Sequence, residues 1–523
     1  MNRLIYPAAV LVGIITAGFI PSTQAQHLDQ IGVTLLRAVT TNVNGTGIRV
    51  AQPEASLSTT APVWEVNPAN VSQPVSLFTY ISGGGSTNFF PNSLSTESGH
   101  ADGVAGLFYG LPGGVATNIA HVDNYDADFF ITNYIFAMEP MPAALVVNQS
   151  FTFGQLSVDD QQGVDSAYDD YADTFGTLFV SAVANGGQVC APGTDYNCIA
   201  VAAYGGNSSV GPTIDNGRCK PDITAPEGAT SFSTPQVSGA AALLLQAALR
   251  GDGGGDTNSV TDMRTIKVLL LNGAVKPANW TNSNSSPLDA RFGAGVLNVF
   301  NAYEQLAGGK QSYVAATSVP TNSAHLPTGD TGTVSGLNGW DFNTNSSSAS
   351  TDGVNHYYFN VTNDLSGAMF TATVTLAWNR QFGETNINDL DLFLFNAAND
   401  SLITCSTSRV DNVEHLWLPQ LPPGRYDLQV LKNGGTNTVS DSENYALAWA
   451  FVSPILNIAK SGTNTVLGWA AYPAGYRVET ATSLTSAWGT SDLPASIVTN
   501  GRNNLVLSAT NALQFFRLRQ PNF

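Results

Sequence analysis

Charged residues are scarce in this chain, at 11% of 523 residues, and the basic ones are scarcer still: 20 Lys and Arg stand against 39 Asp and Glu, a formal net charge of −19. Neutralising a phosphate backbone needs clustered Lys and Arg. No such cluster occurs, which argues against a nucleic-acid partner. Cysteine is almost missing, with only Cys190, Cys198, Cys219 and Cys405. No CxxC spacing appears, so a zinc site is not expected. The first three lie within about thirty residues of one another, and in an exported chain a disulfide among them can form, with the pair left open. Histidine is limited to six residues. Beyond the N-terminus no apolar run is long enough to span a bilayer.

What is present is apolar and small-polar. Hydrophobic residues make up 43% and the mean hydropathy is +0.01, so a large core can be buried. Few charges with much Asn, Ser, Thr and Gly read as a β-rich exported protein. The first residues, MNRLIYPAAVLVGIITAGFIPSTQAQ, place Arg3 before an apolar stretch and small residues around Ala25. This is a signal-peptide pattern over residues 1–25. The alternative, a transmembrane anchor, is opposed by the shortness of the run and by Pro7. A secreted protein, extracellular or periplasmic, with no membrane anchor after cleavage is expected.

Length and texture divide the rest into three. Over residues 26–309, GIRVAQ, ALVVNQSF, TLFVSAVAN and CIAVAAYGG read as short buried parallel strands. SVDDQQGVDSAYDDYADTFG reads as a helix ending at Gly176, and VTDMRTIKVLLLNGA as another closed by Gly273. Alternating strands and helices predict a doubly wound, mostly parallel α/β domain. Over residues 310–452, ATVTLAW, DLDLFLFN, EHLWLPQL, RYDLQVLK and YALAWAF alternate with period two between Gly, Pro and Asn. They predict an antiparallel β-sandwich. Residues 453–523 read as a small C-terminal β-module.

Chemistry concentrates in GATSFSTPQVSGAAALLLQAALRG, residues 228–251. Ser and Thr before an apolar helix can be simple N-caps, with Pro tolerated in the first turn. They can also hold a nucleophile at a helix N-terminus. A serine nucleophile needs a base, a group to orient the base, and oxyanion donors. The first domain offers His27, His100 and His121 as bases. His27 stands almost at the mature terminus, and His121 lies in a strand pattern. His100, in ESGHADGVAGLFYG, has small neighbours and a following helix, which leave an imidazole edge open.

GHADGVAG resembles the histidine motif of the subtilisin-like serine proteases, and ATSFSTPQVSGAAALLL their serine motif. FVSAVANGG is similar to the strand that leads to their oxyanion asparagine. CIAVAAYGG and RCKPDITAPE match the segments between that asparagine and the serine, and ALVVNQSF the strand that pairs with substrate. The order is the family's, and the likeness covers roughly residues 40–305. The resemblance implies a serine endopeptidase with Ser231 as nucleophile, His100 as base and Asn185 as oxyanion donor. It also implies substrate-binding roles for Ser150, Ala182 and Ala184. Asn185 alone would read as a turn residue in Asn-Gly-Gly.

The chain departs from the pattern at the acid. GIRVAQPEAS puts Glu54 where the family has Asp, and triads with Glu exist on other folds. A solvated strand-end Glu is the alternative. Asp102 stands too near His100 in sequence to face the far ring nitrogen. Ala229 replaces a Gly, and Ala184 stands where many relatives carry Gly beside the S1 wall. The sandwich is similar to a jelly-roll of the P-domain type. Its Asn388, Asp389 and Asp391 could contribute to a structural Ca²⁺ site, or form a polar strand start turned to solvent. No cofactor is required for catalysis. The expected partner is a polypeptide substrate and the expected state a monomer. Two other functions compete: a catalytically inactive protease fold that binds or adheres through its β-modules, and an esterase, which lacks the Gly-x-Ser-x-Gly elbow.

Overall fold

The computed structural model describes residues 27–519 apart from 59, 330–331, 363–367, 436–437, 491–492 and 509–512. The signal-peptide segment, residues 1–25, lies outside the described residues. An eight-stranded sheet forms the first domain: β1 (Arg49–Glu54), β2 (Phe78–Ser82), β3 (Gly85–Thr87), β4 (His121–Asp126), β5 (Val146–Gln149), β6 (Leu178–Ala182), β7 (Ile199–Ala203) and β8 (Ile223–Ala225). Their spatial order is β8-β7-β6-β5-β1-β4-β2-β3, with every pair parallel except β2 with β3. The central strands are buried on both faces: β6 and β7 are buried at every residue, and β7 is wholly apolar.

Helices α1 (Gly99–Phe108), α2 (Val158–Phe175), α3 (Thr230–Leu249), α4 (Met263–Asn272) and α5 (Val299–Ala307) surround the sheet. Ser98 caps α1 and Ser157 caps α2, each accepting a first-turn amide, and α2 ends at Gly176 in the left-handed region (φ 65°). The VTDMRTIKVLLLNGA segment differs from the single helix its periodicity predicts. A short helix, Thr257–Thr261, stops at Asp262, whose backbone leaves helical space and whose side chain caps α4. From β1 the chain runs out to β2 and the edge strand β3, returns to β4 between β1 and β2, then crosses to β5 and builds the other way. The carboxyl ends of β1 and β5 therefore form the switch point where α/β sheets open a crevice.

The sandwich region contains β9 (Ala315–Pro320), β10 (Asn338–Ser346), β11 (Thr351–Val361), β12 (Phe370–Trp378), β13 (Leu390–Asn396), β14 (Ser401–Ser406), β15 (Val413–Leu421), β16 (Gly424–Lys432) and β17 (Ser442–Val452). They form two antiparallel sheets, β9-β11-β16-β13-β14 and β10-β17-β12-β15. Tyr357, Phe359, Leu392 and Leu428 of one sheet share a core with Val374, Leu376, Leu447 and Trp449 of the other. All five strands read from alternation are present. The four that were missed include β10, whose NGWDFNTNS is too polar to alternate. The C-terminal module holds two further antiparallel sheets, within residues 457–508 and 477–519.

The three parts are continuous. Trp340, Ala446 and Ala448 of the sandwich and Ala471 and Ala474 of the last module belong to the same apolar core as the α/β domain. The connection leaving α5 is itself paired: Gln311 N–H donates to Trp340 O at 2.8 Å, and Trp340 N–H to Gly309 O at 3.3 Å. Asn197 and Arg380 exchange two hydrogen bonds across the junction, at 2.9 and 3.0 Å.

Candidate active site

Glu54 is the last residue of β1 and only 2% exposed. Pairing of β1 with β5 stops at Ala51, so Pro53, which has no amide hydrogen, follows where only β4 still runs alongside. Helix α1 starts at the same edge and presents His100 in its first turn. His100 Nδ1 lies 2.9 Å from Glu54 Oε2. An ionised carboxylate only accepts, so Nδ1 carries the proton and the Nε2 lone pair is left for another group. Burial disfavours the imidazolium, but the charge of Glu54 and its hydrogen bond outweigh this, and the His100 pKa is raised above the ordinary 6.5.

Gln52, two residues before Glu54 and on the same face of β1, donates Nε2–H to Glu54 Oε1 at 2.8 Å and to Ala101 O at 3.1 Å. Tyr109 donates its hydroxyl to Gln52 Oε1 at 2.5 Å. Neither residue was singled out in the sequence. A signal existed: a glutamine within an apolar central strand must find partners for its amide.

Ser231 is the second residue of α3. The N-cap of this helix is Ala229, which supplies no side-chain acceptor, so the Ser and Thr residues do not cap as their composition suggests. Asn185 takes that role from a distance: its Oδ1 accepts from Thr230 N–H at 2.8 Å and from the Thr230 hydroxyl at 3.2 Å. The oxygen being committed, the amide NH₂ of Asn185, which stands exposed just after β6, is left to donate. The Ser231 N–H is one of the first-turn donors with no intrahelical carbonyl to reach.

Pro235, the sixth residue of α3, has no amide hydrogen to give the carbonyl four residues back, that of Ser231. Ser150, just past β5, fills the gap: its hydroxyl donates to Ser231 O at 2.8 Å. The Ser231 hydroxyl in turn donates to Ser150 O at 3.2 Å. Asn148 of β5 donates to Ser150 Oγ at 3.0 Å and accepts from Ser238 of α3 at 2.9 Å, tying strand to helix. His100 and Phe232 rings lie 5.9 Å apart, which sets the imidazole beside the first turn of α3.

The other expected positions fall as follows. Ala182 is buried within β6 at 1% exposure. Ala184 adopts φ 82°, and its carbonyl accepts from Ser209 N–H at 3.0 Å. Asp102 does not reach His100; it accepts from Asn67 N–H at 2.7 Å and Asn70 Nδ2–H at 2.6 Å. His121 Nε2 is bonded to Thr79 Oγ1 at 2.9 Å, and His27 pairs with Glu227.

All four cysteines are free, so the disulfide that the first three could form is not made. Cys190 Sγ takes Gln155 Nε2–H at 3.1 Å, whereas Cys198 Sγ turns to Pro192 O and Asp195 O. In the sandwich, Asn388 Oδ1 accepts from Val439 and Ser440 amides, and its Nδ2–H donates to Glu443 at 2.6 Å. Asp391 takes Asn433 Nδ2–H at 2.8 Å, and burial raises the Asp389 and Asp391 carboxyls to about 6 and about 7. Among the described residues no group of three or more His, Cys, Asp and Glu is placed to hold a metal ion.

A buried carboxylate on a histidine, near the start of a serine-bearing helix at the switch point of a doubly wound sheet, is an arrangement that serine hydrolases use. Residues 86–295 match the model of the Subtilase family. The matched segment contains His100, Asn185 and Ser231 and begins after Glu54. The chain is similar to a point mutant of the protease domain of PatA, at 22% identity over 51% of this chain and 98% of that one, TM-score 0.36. It is also similar to the prenylagaramide maturation protease PagA, at 22% identity over 53% and 98%, TM-score 0.36. For tripeptidyl peptidase 2 the values are 12% over 74% and 43%, TM-score 0.32. No curated protein matches the chain.

Proposed function

We propose that the protein is an exported serine endopeptidase with a Glu54–His100–Ser231 triad. The observation that carries this is the 2.9 Å contact of His100 Nδ1 with buried Glu54, which leaves Nε2 as a base on a ring 5.9 Å from that of Phe232, the residue after Ser231. On substrate binding, the Ser231 hydroxyl leaves Ser150 O and turns to His100 Nε2. Oγ attacks the peptide carbonyl while Nε2 takes its proton. The oxyanion is met by Asn185 Nδ2–H and the Ser231 amide, with the positive end of α3 behind them. Collapse expels the amine, which receives the proton from His100. A water then attacks the acyl-serine by the reverse route. Ser150 and the chain at Ala184, just beyond buried Ala182 at the end of β6, would border the bound polypeptide. A monomeric state and secretion complete the reading; no helix among the described residues is long and apolar enough to cross a membrane.

The test is labelling by a fluorophosphonate. Wild type is expected to label, Ser231→Ala not at all, and Glu54→Gln about 10⁴-fold more slowly, since the imidazole loses the acceptor that fixes its tautomer. Folded wild-type protein that never labels would leave a protease-fold binding protein instead.

A further inference from the structure

We propose that Gln52 and Tyr109 are positioning residues for the triad acid, forming a fixed hydrogen-bond relay Tyr109–Gln52–Glu54–His100. The inference rests on the hydrolase reading of this site.

Glutamate is one methylene longer than aspartate and carries one more rotatable bond, so its carboxylate is less defined by its backbone. Something must hold it in the plane of the imidazole. Gln52 does so. Its amide orientation is fixed by its surroundings: Nε2 faces Glu54 Oε1 and Ala101 O, both acceptors, while Oε1 faces the Tyr109 hydroxyl. Reversing the amide would set oxygen against two oxygens. Gln52 and Tyr109 are both fully buried, so water does not replace either partner. Burial also pushes the Tyr109 phenol well above its usual range, which keeps it a donor. With Oε1 held by Gln52 and Oε2 by His100, Glu54 accepts on both oxygens, and the Nδ1–H tautomer of His100 follows.

The pair also sets the pH response. A donor on Oε1 stabilises the carboxylate that is present before His100 takes a proton. Removing it makes the Glu54–His100 pair take its first proton at higher pH. Activity needs neutral His100, so the acid limb of kcat/KM moves up in Gln52→Met. In Glu54→Gln the anion itself is gone, His100 is less basic, and the limb moves down. A role in packing alone predicts neither movement.

The experiment is kcat and KM against pH on a peptide substrate for wild type, Gln52→Met, Tyr109→Phe and the double variant, with melting curves beside them. Gln52→Met is expected to lose about ten- to a hundredfold in kcat with little change in KM. Tyr109→Phe, which keeps the ring in place, is expected to lose about two- to tenfold. In the double variant Tyr109→Phe should add nothing, because it acts through Gln52. Folded Gln52→Met and Tyr109→Phe with unaltered kcat and acid limb, in a protein whose labelling depends on Ser231, would overturn the inference and leave the hydrolase reading standing. If wild type hydrolyses nothing, that reading falls by itself. The His100 Nδ1 proton resonance then decides the relay: displacement in Gln52→Met supports it, and an unmoved resonance refutes it.

Discussion

At Ala184 the backbone enters left-handed space with a methyl group in place (φ 82°), a conformation that costs an L-residue roughly 1–2 kcal/mol. The next residue is Asn185, so the bend aims the proposed oxyanion donor. Ala184→Gly should relieve the strain but loosen the unfolded chain by about 0.4–1 kcal/mol. A net gain of about 0–1.6 kcal/mol in urea denaturation is expected. Asn185→Ala should lower kcat by about 10²–10³-fold with KM held, as for other oxyanion donors of this kind. Because Glu54 raises the His100 pKa, the acid limb of wild-type kcat/KM should fall above pH 6.5. Glu54→Asp keeps the charge but withdraws the carboxylate, and misplacement of that size costs about 10²-fold. The positions of His100, Ser231 and Asn185 were legible because motif order survives in the sequence. The contacts of Gln52 and Tyr109 were not, because a side chain's partner 57 residues away leaves no local pattern.

Among elements, the packing of α1 on α3 decides whether base and nucleophile meet. A Cβ added at Gly103 would come within 2.8 Å of Phe232 Cε1, and Phe232 follows Ser231 directly. Gly103→Ala should therefore displace the first turn of α3. A loss of about 1–3 kcal/mol in thermal stability is expected, together with a fall in kcat larger than that loss explains, since the folded fraction remains high. The parallel strands were readable as apolar runs, and the alternating strands of the sandwich by their period. The break at Asp262 was not, because a continuous apolar stripe hides a residue that leaves helical space to cap the next helix. The strand β10 was hidden for the opposite reason: its buried Asp341 takes the Tyr357 hydroxyl on Oδ2 at 2.7 Å, a bond made with a different sheet.

Across the whole molecule, buried charge joins the α/β domain to the sandwich. Arg380 Nε lies 3.1 Å from Asp169 Oδ2, both nearly inaccessible to water. Arg380→Ala removes the ion-pair partner of buried Asp169 and leaves it only the fields of Arg218 and Lys220, so a loss towards the lower end of about 3–5 kcal/mol in denaturation free energy is expected. Because the core runs through all three parts, that loss should appear in one shared unfolding transition rather than in the sandwich alone.

The paired connection after α5 bears on the lifetime of such a molecule. A peptidase is surrounded by copies of itself, and the tether between domains is usually the first bond nicked, since extended, unpaired backbone is what a cleft can thread. Here that tether is stitched to Trp340 by its own amides and carbonyls. A neighbouring copy that tried to cut it would first have to peel it off the sandwich, so the seam is guarded against self-digestion.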